Sequence, residues 1–214
     1  MATTESTANT KPLHGLWLGG TFHEVRPATY VNPETKEERQ YQVATFHVTG
    51  VNADYERVSL DQSTRLDLPK DTPILLNVRA YVSKNELRYQ LAKDYPSGFW
   101  MPSLETTSTN GEVTPMVGLF AVGAYDSQPT RQWRDRTTGK INNLRFLKLH
   151  MPRPTAPDYL MLDIEDGVTL PEFRKGQEMT VPVTVGPSAK GVRYRLSREF
   201  EITDALRPEQ TAAA

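Results

Sequence analysis

Two stretches decide the reading of this chain: GLWLGGTFHEVRPATYVNPETKEERQYQVATFHV at residues 15–48 and GLFAVGAYDSQPTRQWRDRTTGKINNLRFLKLHM at residues 118–151. Laid over each other without a gap, they bring Gly15-Leu16-Trp17 onto Gly118-Leu119-Phe120, Gly20 onto Gly123, Tyr30 onto Trp133, Thr35 onto Thr138 and Phe46-His47-Val48 onto Leu149-His150-Met151. With the frame slipped by one residue, Asp54-Tyr55 meets Asp158-Tyr159 and Leu60 meets Ile164. One further slip lays Val78 on Val183 and Arg88-Tyr89-Gln90-Leu91 on Arg193-Tyr194-Arg195-Leu196. Matches in one order with so little drift imply an internal duplication, with the slips at loops.

Within each copy the apolar period is near two, which predicts strands. They are expected at 15–23, 40–48, 55–61, 74–82 and 87–91, and again at 118–125, 144–151, 159–164, 179–185 and 192–202. The turn clusters Asn32-Pro33-Glu34-Thr35-Lys36 and Asp135-Arg136-Thr137-Thr138-Gly139-Lys140 separate the first two strands of each copy. Five short strands in about ninety residues fit a small Greek-key barrel of the OB type. The fold class is therefore expected to be all-β, as two tandem five-stranded OB-like Greek-key barrels; a five- or six-stranded barrel of another topology accommodates the same strand count.

The expected organisation is a disordered arm at 1–12, a first unit at 13–93, a linker at 94–115, a second unit at 116–203 and a disordered tail at 204–214. The linker stands out, because Tyr95, Phe99 and Trp100 beside Pro96, Gly98 and Pro102 are too aromatic for a free coil. They are expected to dock on a barrel or seal the contact between units, with a base-stacking loop as the alternative. The chain has no cysteine, which excludes disulfide frameworks, thiolate metal sites and Cys nucleophiles. Neither a leader-like apolar segment nor an 18-residue apolar run occurs, so a cytoplasmic protein without a membrane partner is expected, in the host cytoplasm if the source is viral.

Net charge is only −1, so any anion-binding surface must arise by local clustering. It does so in the second copy. Between Arg131 and Arg153 lie seven cations, Arg131, Arg134, Arg136, Lys140, Arg145, Lys148 and Arg153, against Asp135 alone. Trp133 and Phe146 are interleaved with them. Cations follow a phosphate backbone while aromatic faces stack on unpaired bases, the pairing of chemistries that single strands require. Strand alternation puts Phe146 and Lys148 on one face, opposite Leu147 and Leu149. The matching stretch of the first copy, 28–45, sets Lys36 and Arg39 against Glu34, Glu37 and Glu38, and keeps Tyr30 and Tyr41 as stacking groups. A dominant site on the second copy and a weaker or redirected one on the first are expected.

The second copy resembles the filamentous-phage single-stranded-DNA-binding proteins. The resemblance is carried by the basic turn Arg136-Thr137-Thr138-Gly139-Lys140, the segment Asp158-Tyr159-Leu160-Met161-Leu162-Asp163-Ile164, the turn Phe173-Arg174-Lys175-Gly176, the strand from Met179 to Val185, and Lys190-Gly191-Val192-Arg193-Tyr194-Arg195-Leu196. It covers about eighty residues of that copy and, more faintly, the first. It implies an OB-type barrel whose hairpin and late arginine contact DNA, which by motif position are Arg136, Lys140 and Arg193. Family members have one barrel per chain and pair as dimers, so the resemblance implies a covalent pseudo-dimer here.

Catalytic signatures do not occur: there is no Walker loop, dinucleotide fingerprint, HExxH or GxSxG. His47 and His150 occupy matching strand positions, but neither has a second ligand at metal spacing, and both read as structural. No cofactor or metal is expected. The expected function is coating of single-stranded DNA, or of RNA, in replication or recombination, with a homo-oligomer or replication and recombination proteins as partners. The alternative is a non-catalytic double-barrel assembly module whose basic hairpin meets an acidic protein.

Overall fold

The computed structural model describes residues 13–48, 55–92, 100–102, 105–107, 113–152, 159–189 and 191–197. The period-two pattern is realised there as strands alone. In the first copy these are β1 (Gly15–Val31), β2 (Glu38–His47), β3 (Tyr55–Asp61), β4 (Pro73–Ser83) and β5 (Glu86–Leu91). Three short strands follow: β6 (Trp100–Pro102), β7 (Glu105–Thr107) and β8 (Val113–Pro115). The second copy supplies β9 (Gly118–Ser127), β10 (Thr130–Arg134), β11 (Ile141–His150), β12 (Tyr159–Ile164), β13 (Glu178–Ser188) and β14 (Gly191–Leu196). Twelve strands join one sheet, and β7 pairs with β8 in a second. Among the described residues no helix is long and apolar enough to cross a membrane.

The ladders run the same course in both copies. β1 pairs with β2, β2 with β3, β3 in parallel with β5, β5 with β4, and β4 with β1 again. The second course is β9 to β11, β12, β14, β13 and back to β9, and its one parallel ladder is again between the third and last strands, β12 and β14. Gly15 and Gly118 each open the first strand of a course. Both first strands also skip a residue against the second: the register jumps across His23 in β1 and across Asp126 in β9. Such a bulge bends the strand sharply enough to serve two neighbours in turn. Just before it, a Cβ on Gly20 would lie 2.8 Å from the His47 carbonyl oxygen, and one on Gly123 would lie 3.0 Å from that of His150. The matched glycines thus admit the matched strand.

Two expectations are corrected. The first strand does not stop at residue 23 but continues to Val31, and the corresponding part of the second copy forms β10, separated from β9 at Gln128-Pro129. Both extensions rise beyond the core as hairpins solvated on two faces, so no apolar alternation announces them. Within the stretch at 94–115, β6 pairs with β4, Leu76 opposite Trp100, and β7 pairs with β8. Tyr95 and Phe99 lie outside the described residues, as do the arm at 1–12 and the tail at 204–214.

Leu16, Leu18, Ala44, Phe46, Val58, Leu60 and Ile74 of the first copy and Leu119, Ala121, Leu147, Leu149, Leu162 and Met179 of the second are buried in one apolar cluster. The intervening residues of the first strands are buried as well, which explains why GLWLGG reads as a continuous apolar run. β1 and β9 pair antiparallel with Trp17 opposite Phe120, two residues already matched in the repeat, so a pseudo-two-fold axis passes through that pair. Trp17, Leu75, Met116, Phe120 and Val122 form a buried cluster there. The Trp17 indole donates to the Leu13 carbonyl at 3.0 Å. His14 and Glu178 pair across the two copies at 2.7 Å.

Candidate nucleic-acid interface

The basic turn is built by one side chain. Asp135 accepts hydrogen bonds from the Thr137 and Thr138 amides at 2.7 and 2.9 Å, and those bonds hold its carboxyl below the usual carboxylate range. Backbone bonds from Gly139 to Asp135 and from Asp135 to Lys140 close the loop, with Gly139 at φ 71°. The first copy repeats the device. Asn32 accepts from the Glu34 and Thr35 amides, and Lys36 takes the left-handed position at φ 60°. The only acid in the basic window therefore faces its own turn.

Residues directly opposite across an antiparallel ladder share a face. Arg131 lies opposite Leu144 and Trp133 opposite Asn142, and alternation along β11 adds Phe146 and Lys148 to that face. Trp133 is 50% exposed, and Phe146 and Lys148 are half-buried, whereas Leu147 and Leu149 are fully buried. The ladder to β12 extends the face: Phe146 lies opposite Asp163, Lys148 opposite Met161 and His150 opposite Tyr159. Tyr159 and Met161 are exposed apolar groups that the sequence reading did not single out. Their signal was present, as the outward positions of the Tyr159–Ile164 alternation.

The cations differ in what they do. Arg131, Arg136 and Lys140 are exposed, and among the described residues they pair with no carboxylate. Arg134 donates to the Gly139 carbonyl at 3.2 Å. Arg145 points the other way and donates to the Val168 carbonyl at 2.8 Å, the task that Gln42 performs in the first copy by donating to the carbonyls of Gln62 and Thr64. Lys148 pairs with Asp126 at 3.0 Å and sits 3.8 Å over the Tyr159 ring. The hydrogen bond from Lys148, with a second from Ser127, pulls the Asp126 carboxyl down. Arg193 is ion-paired with Asp163.

In the first copy, Tyr30 lies opposite Arg39 and Ala28 opposite Tyr41, so both tyrosines occupy one face. Tyr30 is 51% exposed and Tyr41 half-buried; Lys36 caps the turn, and Arg39 lies 3.9 Å from Glu37. The fold adds residues that no local window contains. Arg79, Tyr81 and Arg88 from the β4–β5 hairpin stand with Tyr30, Tyr41 and Asp61 around one groove of about 600 Å³. Glu56 lines the adjoining groove, and its burial raises its pKa.

The matched histidines are ring-packed: His47 meets Tyr55 edge-on at 5.3 Å, and His150 meets Tyr159 at 5.1 Å. Among the described residues no group of three or more His, Asp or Glu side chains is placed to hold a metal ion. Compared with protein-family models and with curated proteins, the sequence finds no match in either.

Proposed function

We propose that the chain binds single-stranded DNA through two OB-like Greek-key barrels and coats single-stranded intermediates without strong sequence preference. The barrel assignment is supported by the ladder course, in which the last strand pairs in parallel with the third and the fourth returns to the first. An up-and-down barrel would pair the third strand with the fourth instead. One observation carries the functional reading: Trp133 and Phe146 share an outward face with Arg131 and Lys148, continued by Tyr159 on β12. Stacking surfaces alternating with cations along a solvated sheet face suit a strand whose bases are splayed and whose phosphates remain accessible. Arg136 and Lys140 extend the cationic track along the hairpin tip, where the resemblance to the filamentous-phage proteins also puts DNA contacts.

The test is titration of the full chain with labelled oligo(dT), followed by fluorescence anisotropy across a series of salt concentrations. Saturable binding whose logarithmic affinity falls linearly with log salt is expected. Binding to an acidic polypeptide in preference to oligo(dT) would replace this reading with that of a protein-assembly module.

A further inference from the structure

Ladder register allows the outer faces of the two copies to be compared residue by residue. In the first copy His47 lies opposite Tyr55 and Thr45 opposite Arg57; in the second, His150 lies opposite Tyr159 and Lys148 opposite Met161. The histidine and the tyrosine are shared, and each copy sets one cation beside them. That cation, Arg57, stands on β3 in the first copy, whereas Lys148 stands on β11 in the second. Residues opposite each other across a ladder, or two apart along a strand, share a face, so Tyr55 and Arg57 point outward together while Val58 is buried.

Both groups are open to a ligand. Tyr55 is 49% exposed, yet its ring is held by two others: His47 meets it at 5.3 Å, and His23, the bulge residue of β1, at 5.4 Å. A ring already ordered and still half open to solvent makes a stacking platform, because little side-chain freedom is lost on binding. Arg57 is exposed and, among the described residues, has no carboxylate partner. Lys148, by contrast, is held by Asp126, the bulge residue of β9; the first copy has His23 at the bulge instead. Of the carboxylates that line a groove with Tyr55 and Arg57, Glu24 is paired with Arg26 and Glu86 with Arg88, both at 2.9 Å, and Glu56 is half-buried, which raises its pKa. None of the three is paired with Arg57, whose guanidinium fork is free for a phosphate.

We infer that Tyr55 and Arg57 form a single-strand contact on the first copy, in which Tyr55 stacks on an unpaired base and Arg57 takes an adjacent phosphate. The contact lies on β3, outside the hairpin that carries Tyr30, Lys36 and Arg39. This inference rests on the single-strand reading above and adds to it a second site, on residues outside the basic window of the second copy.

The experiment uses the full chain and labelled oligo(dT) of about 32 nucleotides, twice the largest single-barrel site, with anisotropy measured at several salt concentrations. R57A should lower the salt slope by roughly 0.7, and R57K, which keeps the charge, should restore it. Y55A should weaken binding about 5- to 150-fold with the slope unchanged, while Y55F, which keeps the ring, should bind as the parent does. An R57A protein with parental slope and affinity would overturn the inference, as would a folded Y55A protein with parental affinity or a loss in Y55F as large as that in Y55A. Thermal melting checks the folding of Y55A, and R57A, altered at an exposed side chain, decides alone if Y55A does not fold. If R136A lowers the slope and R57A does not, this site is refuted and the single-strand reading stands without it. A parent with no salt-dependent binding would overturn that reading, and this inference with it.

Discussion

Replacing Trp133 with alanine separates stacking from packing. The residue is 50% exposed on β10, whose five residues are all exposed, so truncation leaves no interior cavity and stability should change by about 0.5 kcal/mol or less. Trp17 is the internal control. It is 1% exposed at the centre of the cluster between the two copies, and Trp17→Ala should cost about 3–5 kcal/mol. Loss of one stacking platform at Trp133 should weaken oligo(dT) binding by roughly 1–3 kcal/mol, about 5- to 150-fold. The salt slope should stay unchanged, because no phosphate contact is lost. Labelled DNA must report the binding, since the substitution removes an intrinsic fluorophore; denaturant melting gives the stability. A Trp133→Ala protein with parental stability and parental affinity would refute the stacking role, and one destabilised by several kcal/mol would refute the placement of the indole on an open face.

Arg136→Ala and Lys140→Ala should each reduce the salt slope by roughly 0.7 and weaken all homopolymers equally, as measured by anisotropy at several ionic strengths. Asp135→Asn should fold normally, because Asn32 makes the same turn, and should bind oligo(dT) more tightly by removing a negative charge. The depressed carboxyl of Asp135 stabilises the turn above its unfolded pKa of about 3.9, and this is lost as pH falls through the lower folded value; acid titration of the Asn variant should lack that contribution. For Glu56 the sign reverses. Its raised pKa means that ionised Glu56 opposes folding at neutral pH, so Glu56→Gln should be the more stable protein at pH 7, with the difference vanishing below about pH 4 in melts across pH. Gly139→Ala should cost about 1–2 kcal/mol in thermal melts and Lys36→Gly should gain a comparable amount, since both positions hold left-handed backbone.

What the sequence discloses is set by burial. Leu147 and Leu149 alternate with Phe146 and Lys148 because one side of β11 faces the interior, so the strand, its faces and the outward aromatic could all be read locally. β3 and β12 fall on the predicted bounds for the same reason. β10 and the outer half of β1 are solvated on both faces, and there alternation has no cause. Charge counting was equally local. It found the basic hairpin, which is contiguous, but gave the first copy a net negative stretch, because Glu34, Glu37 and Glu38 cluster at the turn while Arg79 and Arg88 arrive from a hairpin distant in sequence. Arg145 shows the converse: it belongs to the charged window, yet its guanidinium pins the Val168 carbonyl.

The two copies differ most on the face where a difference costs least. Interior equivalents remain apolar, Phe46 with Leu149 and Leu60 with Ile164, because a close-packed core admits little else. The outer positions exchange tyrosine for glycine at Tyr81 and Gly186, and threonine for lysine at Thr45 and Lys148. The β1–β9 ladder keeps these two faces in one molecule, since separating the copies would expose Trp17, Phe120, Met116 and Val122 together. A fragment beginning near residue 116 would therefore carry an uncovered apolar patch as well as the basic hairpin, and its affinity would mix the two effects. Substitutions on the outer faces of the intact chain avoid that confusion: they leave the shared ladder untouched and change one copy at a time, with the other as its internal reference.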